Sequence, residues 1–300
     1  MTRIALAVAH PSHELRVYGW ISRVRPTVYV LTDGSGRAQQ PRLDRTTELL
    51  DGIGITPGAV YGRVSDIALY DLLLHRDVEI LGAITRDLAD DLLWREIDIV
   101  AGDSTEGYSS VHDVWRLMVN AAVALVRRAG RTIENREFAV VAAPRTLPDS
   151  VQTVEHVVLD DAELALKLAA VRAYNPALAA EVDAAMAGER FQGVRRLMEP
   201  YAVRDGDASV SVEAAGRLSE DGAVRRGVSE LLQGIDLEEF RHELFWNARP
   251  VTWPSYGSKP YYESYGEELV RAGHYAYVIR QHEHLRPIGE ALMAWLGLGD

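Results

Sequence analysis

Short, almost wholly apolar runs alternate along the first half of the chain with stretches in which apolar residues recur every three or four positions. Ile4–Ala9 and Val28–Leu31 are such runs. Both end in small or polar residues, as buried parallel strands do. Between them, Leu15, Tyr18 and Ile21 stand at helical spacing within Glu14–Ser22, which makes the opening a βαβ unit. Arg42–Leu50 reads as a helix and Gly58–Tyr61 as a short strand. Asp77–Trp94 is a long amphipathic helix carrying Val78, Leu81, Ile84, Leu88 and Leu92 on one side. Ile97–Ala101 is a buried strand, Val111–Arg128 a helix and Glu137–Ala142 a further strand. This alternation predicts an α/β fold with a mainly parallel sheet. Ligands of such sheets sit beyond the carboxyl ends of the strands. That rule singles out His10, Thr32 to Gly36, and Asp103 to His112, all of which follow predicted strands.

The second half has a different pattern. Asp160–Tyr174 and Ala177–Ala187 are alanine-rich and helical, and Gly193–Pro200 and Arg217–Gln233 read as further helix. Trp246–Tyr265 is dense in Trp, Tyr, Pro and Gly without a clear period, which reads as an irregular surface or lid segment. The tail Glu267–Leu298 is helical or partly extended. The shift near residue 150 divides the chain into an α/β core, 1–150, and a helical, aromatic-rich C-terminal extension, 151–300, packed on it. A single folded body accommodates the same pattern.

Composition narrows the chemistry. The 300 residues contain no cysteine, so disulfides, zinc–thiolate sites, iron–sulfur clusters and thiol catalysis are excluded. Any metal must be held by His, Asp or Glu. The net charge of −12 makes nucleic acid and anionic membranes poor partners, and a small molecule is the expected substrate. With no positively charged leader and no long apolar run, the chain reads as cytoplasmic; a homo-oligomer is compatible with the sequence.

Two segments carry candidate chemistry. In His10-Pro11-Ser12-His13-Glu14 a strand gives way to a helix, and two imidazoles three residues apart can share an ion. In the segment from Asp103 to Asp113 a strand again leads into a helix, with His112 at its start. Three histidines that leave one position open to water are the expected form of a catalytic zinc site. The plainer alternative for each histidine is a polar strand-end side chain bonded to backbone. Glu106 and then Asp103 are candidate general bases beside His112, and Tyr108 is a candidate donor to a developing oxyanion. Asp113 has two readings, orienting an imidazole or favouring a helix start, and Glu14 reads as a helix-start carboxylate. The glycine-rich turn Thr32–Arg37 could present backbone N–H groups to an anion or a sugar hydroxyl, or be only a tight turn. Ser65-Asp66 is placed near the same cleft. His282 and His284 would face one side if they lay on a strand.

The stretches ALAVAHPSHELR, VYVLTDGSG, EGYSSVHD and ALKLAAVRAY together resemble the PIG-L/LmbE-like family of zinc-dependent N-deacetylases and amidases. That family opens on a strand and A-H-P-x-D-E, continues with a strand ending in T-x-G, and later has a histidine at a helix start. Here Ala9-His10-Pro11 and Glu14, Thr32 and Gly34, and His112 match, and Lys167-Leu168-Ala169-Ala170 fits a later pattern. The resemblance runs from Ala5 to Tyr174. It implies a Rossmann-like three-layer sandwich, a Zn(2+) site of His10, His13 and His112 at the carboxyl edge, and a hydrolase that removes an acyl group from an amide nitrogen of a small sugar-like or specialised metabolite.

The chain departs from the family pattern at three places. His13 stands where the family has an aspartate ligand, and imidazole can replace it. Ser12 stands where the family has its general base, and Ser109 and Ser110 stand where it has an oxyanion-stabilising histidine. The alternative is therefore a metal-binding protein of this kind without deacetylase activity, which catalyses another step or acts as a binding protein.

Overall fold

The computed structural model describes residues 2–36, 39–143, 152–174, 237–248, 259–273 and 275–299. Seven strands form one sheet: β1 (Ile4–Val8), β2 (Thr27–Thr32), β3 (Pro57–Val64), β4 (Ile99–Asp103), β5 (Glu134–Phe138), β6 (Thr153–Val158) and β7 (His242–Asn247). Their spatial order is β3-β2-β1-β4-β5-β7-β6. The five strands from β3 to β5 are parallel, and β7 and β6 continue the sheet antiparallel. The chain runs outward from β1 to β3, then returns to place β4 on the other side of β1. Ligand crevices form at such a reversal.

The helices are α1 (Tyr18–Val24), α2 (Leu43–Gly52), α3 (Asp66–His75), α4 (Val78–Trp94), α5 (Ser110–Arg128), α6 (Asp161–Tyr174), α7 (Leu237–Phe240), α8 (Tyr261–Arg271) and α9 (Arg286–Trp295). The period of two in β1 and β2 divides the core between the two faces of the sheet. Leu6, Val8, Val28 and Val30 meet Trp20 and Ile21 of α1, Leu50 of α2, Leu168 and Val171 of α6 and Phe245 of β7. Ala5, Ala7, Tyr29 and Leu31 point the other way, into Leu69 of α3, Leu88 of α4, Trp115 and Met118 of α5 and Leu292 of α9. Both faces of β1 are covered, which is why its sequence is an unbroken apolar run. At the centre, β1 and β4 approach so closely that a Cβ on Gly102 would lie 2.4 Å from the Ala7 carbonyl oxygen.

The sequence reading and the structure differ at identifiable places. The apolar run after Glu137 ends its strand at Phe138, because the N–H groups of Val140, Val141 and Ala142 bond to the Glu106 carboxylate instead of a neighbouring strand. Helix α3 was not expected: its segment is apolar on nearly every side and shows no stripe, but Ser65 caps it by accepting the Ala68 N–H. The half expected to be helical adds β6 and β7 to the same sheet as β5. Within Trp246–Tyr265, the described residues end β7 and begin α8. His282 and His284 lie in a π-helical turn, Gln281–Leu285, not on a strand. The helices expected at Ala177–Ala187, Gly193–Pro200 and Arg217–Gln233 fall outside the described residues. No helix among the described residues is long and apolar enough to cross a membrane.

Candidate active site at the carboxyl edge of the sheet

Strand β1 ends one residue before Ala9-His10, and the chain then turns sharply. Ser12 takes a left-handed conformation (φ 92°), an uncommon choice for a residue with a Cβ. Its N–H donates to Glu14 Oε2 at 2.9 Å, and the Leu15 N–H donates to the Ser12 carbonyl. A 3-10 turn over His13–Val17 follows and carries His13 back over the sheet edge. On the other side of the reversal, β4 ends at Asp103, and Ser109 caps α5 by accepting the Val111 N–H. His112 occupies the first turn of that helix.

These elements bring His10, His13 and His112 together. The ring centroids are 5.3 Å apart for His10–His13, 5.3 Å for His10–His112 and 4.6 Å for His13–His112, and all three pairs meet edge to face. Each residue is at most 2% exposed. Carboxylates stand behind two of the rings: His13 Nδ1 lies 2.7 Å from Asp103 Oδ2, and His10 Nδ1 lies 3.1 Å from Asp66 Oδ1 and 2.8 Å from Thr32 Oγ1. Both contacts use Nδ1 and leave Nε2 on the far side of the ring. A carboxylate at one nitrogen fixes the tautomer and raises the basicity of the other. Burial, followed by the neighbouring histidines, holds the His112 pKa well below its ordinary value, and burial followed by His10 does the same for His13. Both are therefore neutral, the form that ligates metal.

Neither ring nitrogen of His112 has a hydrogen-bond partner, and neither does Asp103 Oδ1. Buried polar atoms in native proteins are nearly always paired, so three such atoms in one cluster call for an occupant. Three imidazoles bound to one ion through bonds of ~2.0–2.1 Å would have centroids roughly 5 Å apart. The observed separations match that spacing. The side chains are nonetheless not drawn into a finished cage: among the described residues, no group of three or more His, Asp or Glu is arranged as one. The three imidazoles as a donor set, with neutral His13 and His112 and the unpaired nitrogens of His112, fit a zinc-like ion.

The other sequence candidates have distinct placements. Asp103 is buried, accepts the Ala9 N–H at 2.8 Å through the oxygen that meets His13, and is pushed by burial up to about 6. The Glu106 carboxylate accepts the N–H groups of Val140, Val141 and Ala142 at 2.8–3.0 Å, while Arg16 donates to the carbonyls of Ala139 and Ala142. Together they clamp the segment after β5. Burial raises the Glu106 pKa, opposed by those backbone donors and by Arg16. The Tyr108 ring is 6.2 Å from His112 and stacks on Tyr261 at 5.2 Å, which stacks on Tyr265 at 5.6 Å. Tyr261 N–H donates to the Gly107 carbonyl, so α8 is fastened to the site loop. Glu14 is wholly buried, bonded to Thr46, and raised by burial to about 7. The donors of the turn after β2 are committed within the turn and to the start of α3: Gly34, Ser35 and Gly36 N–H groups go to Thr32, Asp33 and Asp66.

Sequence reasoning placed Asp66 near the cleft but gave it no role; the Ser65-Asp66 helix start was the signal available. It missed Arg42, whose guanidinium donates to the Gly34 carbonyl at 2.8 Å and whose charge acts on both His13 and Glu14. His274 lies outside the described residues.

No family model matches this sequence, and no curated protein matches it. Among solved structures, the chain is similar to the A40926 pseudoaglycone deacetylase Dbv21, with 16% identity over 84% of this chain and 98% of that one and a TM-score of 0.45. It is also similar to a triple mutant of a deacetylase of the teicoplanin biosynthetic pathway (14% identity, 82% and 97% covered, TM-score 0.43). A complex of such a deacetylase with teicoplanin gives 12% identity, 82% and 97% coverage and a TM-score of 0.41. Likeness this distant carries no activity, metal or substrate to this chain.

Proposed function

We propose that the chain is a zinc-dependent hydrolase that removes an acyl group from an amide nitrogen of a small sugar-like or specialised metabolite. The observation that carries this reading is the buried trio His10, His13 and His112, with centroids 4.6–5.3 Å apart and His112 unpaired at both nitrogens. The acyl-transfer part rests on the resemblance of the H-P-x-x-E and later motifs. A zinc ion held there would polarise a carbonyl and acidify a water molecule. Asp103 and Asp66 stand at Nδ1 of His13 and His10, an arrangement that would leave each Nε2 as the lone-pair nitrogen for such an ion. Asp103 Oδ1, buried and unbonded, is the oxygen available to take a proton. Glu106 holds the segment after β5 instead, since its oxygens are committed to backbone N–H groups. Tyr108 offers a phenol beside His112 to an oxygen that gains negative charge.

The reading without hydrolysis has two observations in its favour: Ser12 cannot take a proton, and Glu106 is already occupied. A panel of N-acylated amino sugars, assayed for released carboxylic acid with zinc-loaded and chelator-treated protein, separates the two. Acid release that chelation abolishes supports the hydrolase. Tight zinc binding with no release across the panel supports the alternative.

A further inference from the structure

Arg42 stands beside the histidine cluster, just before α2, and is tied to the turn that follows β2. Its backbone N–H donates to the Asp33 carbonyl at 2.9 Å, and its Nε donates to the Gly34 carbonyl at 2.8 Å. A Cβ on Gly34 would lie 2.9 Å from the Pro11 ring and 3.3 Å from Arg42 Nε. Pro11, the residue after His10, and Arg42 therefore pack around the same glycine. The charge of the guanidinium acts on both His13 and Glu14.

The guanidinium has donors left over. The Gly34 carbonyl orients it through Nε, and its two terminal nitrogens make no hydrogen bond among the described residues. No carboxylate among those residues lies within ion-pair distance of it, although the chain carries a net charge of −12. Two acids of this region are committed elsewhere: Glu14 to the Ser12 N–H and the Thr46 hydroxyl, and Asp33 to the Ser35 N–H. The backbone N–H groups of Gly34, Ser35 and Gly36 are also bonded, so the guanidinium is the donor that remains. Arg42 is half-buried, and its fork is partly shielded from water yet reachable.

We propose that Arg42 binds a carboxylate on the substrate, so that the molecule taken is an anionic N-acylated amino sugar or amine. This rests on the hydrolase reading above and narrows its substrate class. A planar fork fixed at Nε presents its terminal nitrogens to two carboxylate oxygens, and such charge-assisted pairs are strong and directional. With the amide at the histidines and the carboxylate on Arg42, the substrate is held at two points, which orients the bond to be cleaved.

The probe is N-acetylmuramic acid, an N-acylated amino sugar with a carboxylate, compared with its methyl ester. Binding is measured by calorimetric titration of the full chain freed of zinc, so that the carboxylate has no metal to bind and turnover plays no part. Wild type should bind the acid ~10-fold more tightly than the ester, and added salt should shrink that preference. Arg42→Gln should bind both with the affinity of the ester. Arg42→Lys, which keeps the charge without the fork, should recover part of the preference. Tm shows whether each variant is folded. Equal affinity for acid and ester in wild type, no binding of the acid, or an acid preference unchanged in Arg42→Gln would overturn the proposal. If Arg42→Gln does not fold, a wild-type preference that salt leaves unchanged overturns it equally. None of these results bears on acid release in the chelation assay, so the hydrolase reading stands or falls separately.

Discussion

His112 is buried with both ring nitrogens unpaired, while His10 and His13 each have a carboxylate at Nδ1. This asymmetry sets what single substitutions should do. His112→Ala removes a ligand and should abolish tight zinc binding at this cluster, read by dialysis against a competing chelator. Asp103→Asn keeps the shape but weakens the hold on His13, and zinc affinity should fall by ~10–100-fold. Unchanged affinity in Asp103→Asn would show that His13 is not oriented through this contact. At Ser12 the left-handed backbone is one that Asp tolerates better than most residues, so Ser12→Asp should fold, with a lowered Tm because a buried side chain beside Glu14 gains a carboxylate. If Asp103 takes the proton, that variant gains no turnover on N-acylated sugars; a clear gain would place the missing base at position 12. That the three histidines, Asp103 and Tyr108 come close together was legible in the sequence because each follows a strand or opens a helix. The occupation of Glu106 was not, since its partners are backbone N–H groups beyond the next strand, and side-chain identity says nothing about them.

The elements that carry these residues depend on close approach and capping. Gly102 in β4 leaves room for the Ala7 carbonyl, and a Cβ there would sit 2.4 Å from it. Backbone cannot yield cheaply at the centre of a sheet, so Gly102→Ala should cost about 1–3 kcal/mol of stability in denaturant melts. A neutral result would mean that β1 and β4 are less tightly joined than described. Glu106→Gln replaces an acceptor of three backbone donors with a side chain that has one carbonyl oxygen. It should lower stability by about 1–3 kcal/mol while leaving zinc stoichiometry intact. The strands of the parallel half were readable from their apolar runs. β6 and β7 were not: β6 is largely exposed, and β7 hides His242 and Glu243, so neither shows the period or the run that marks a buried strand. Helix α3 was missed for the opposite reason, because an apolar segment without a polar face offers no helical period.

At the scale of the whole molecule, one buried ion pair ties the antiparallel edge to the parallel core. Lys167 on α6 bonds to Glu243 on β7 and to the Arg16 carbonyl, and Glu243 accepts the N–H groups of Gly19 and Trp20 at the start of α1. Lys167→Met strands the carboxylate and should destabilise by about 3–5 kcal/mol; adding Glu243→Gln should recover much of that loss. Burial pushes the Lys167 pKa down from 10.5 to about 8, against the pull of Glu243. A base with a lowered folded pKa is protonated in both states below that value. Between about 8 and 10.5 the unfolded chain holds more protons, so this lysine makes stability rise with pH across that window. Comparing wild type with the double variant isolates the slope, and a wild type that loses stability relative to the variant there would contradict it. Residues from both sides of position 150 share this buried network.

The central claim is that His10, His13 and His112 hold one ion together, and X-ray absorption at the zinc edge reads it directly. The protein for this measurement is loaded with one equivalent of zinc. The account predicts a first shell containing three imidazole nitrogens at ~2.0–2.1 Å, lost on His112→Ala. A first shell with fewer than three imidazoles, or one unchanged by His112→Ala, would contradict it.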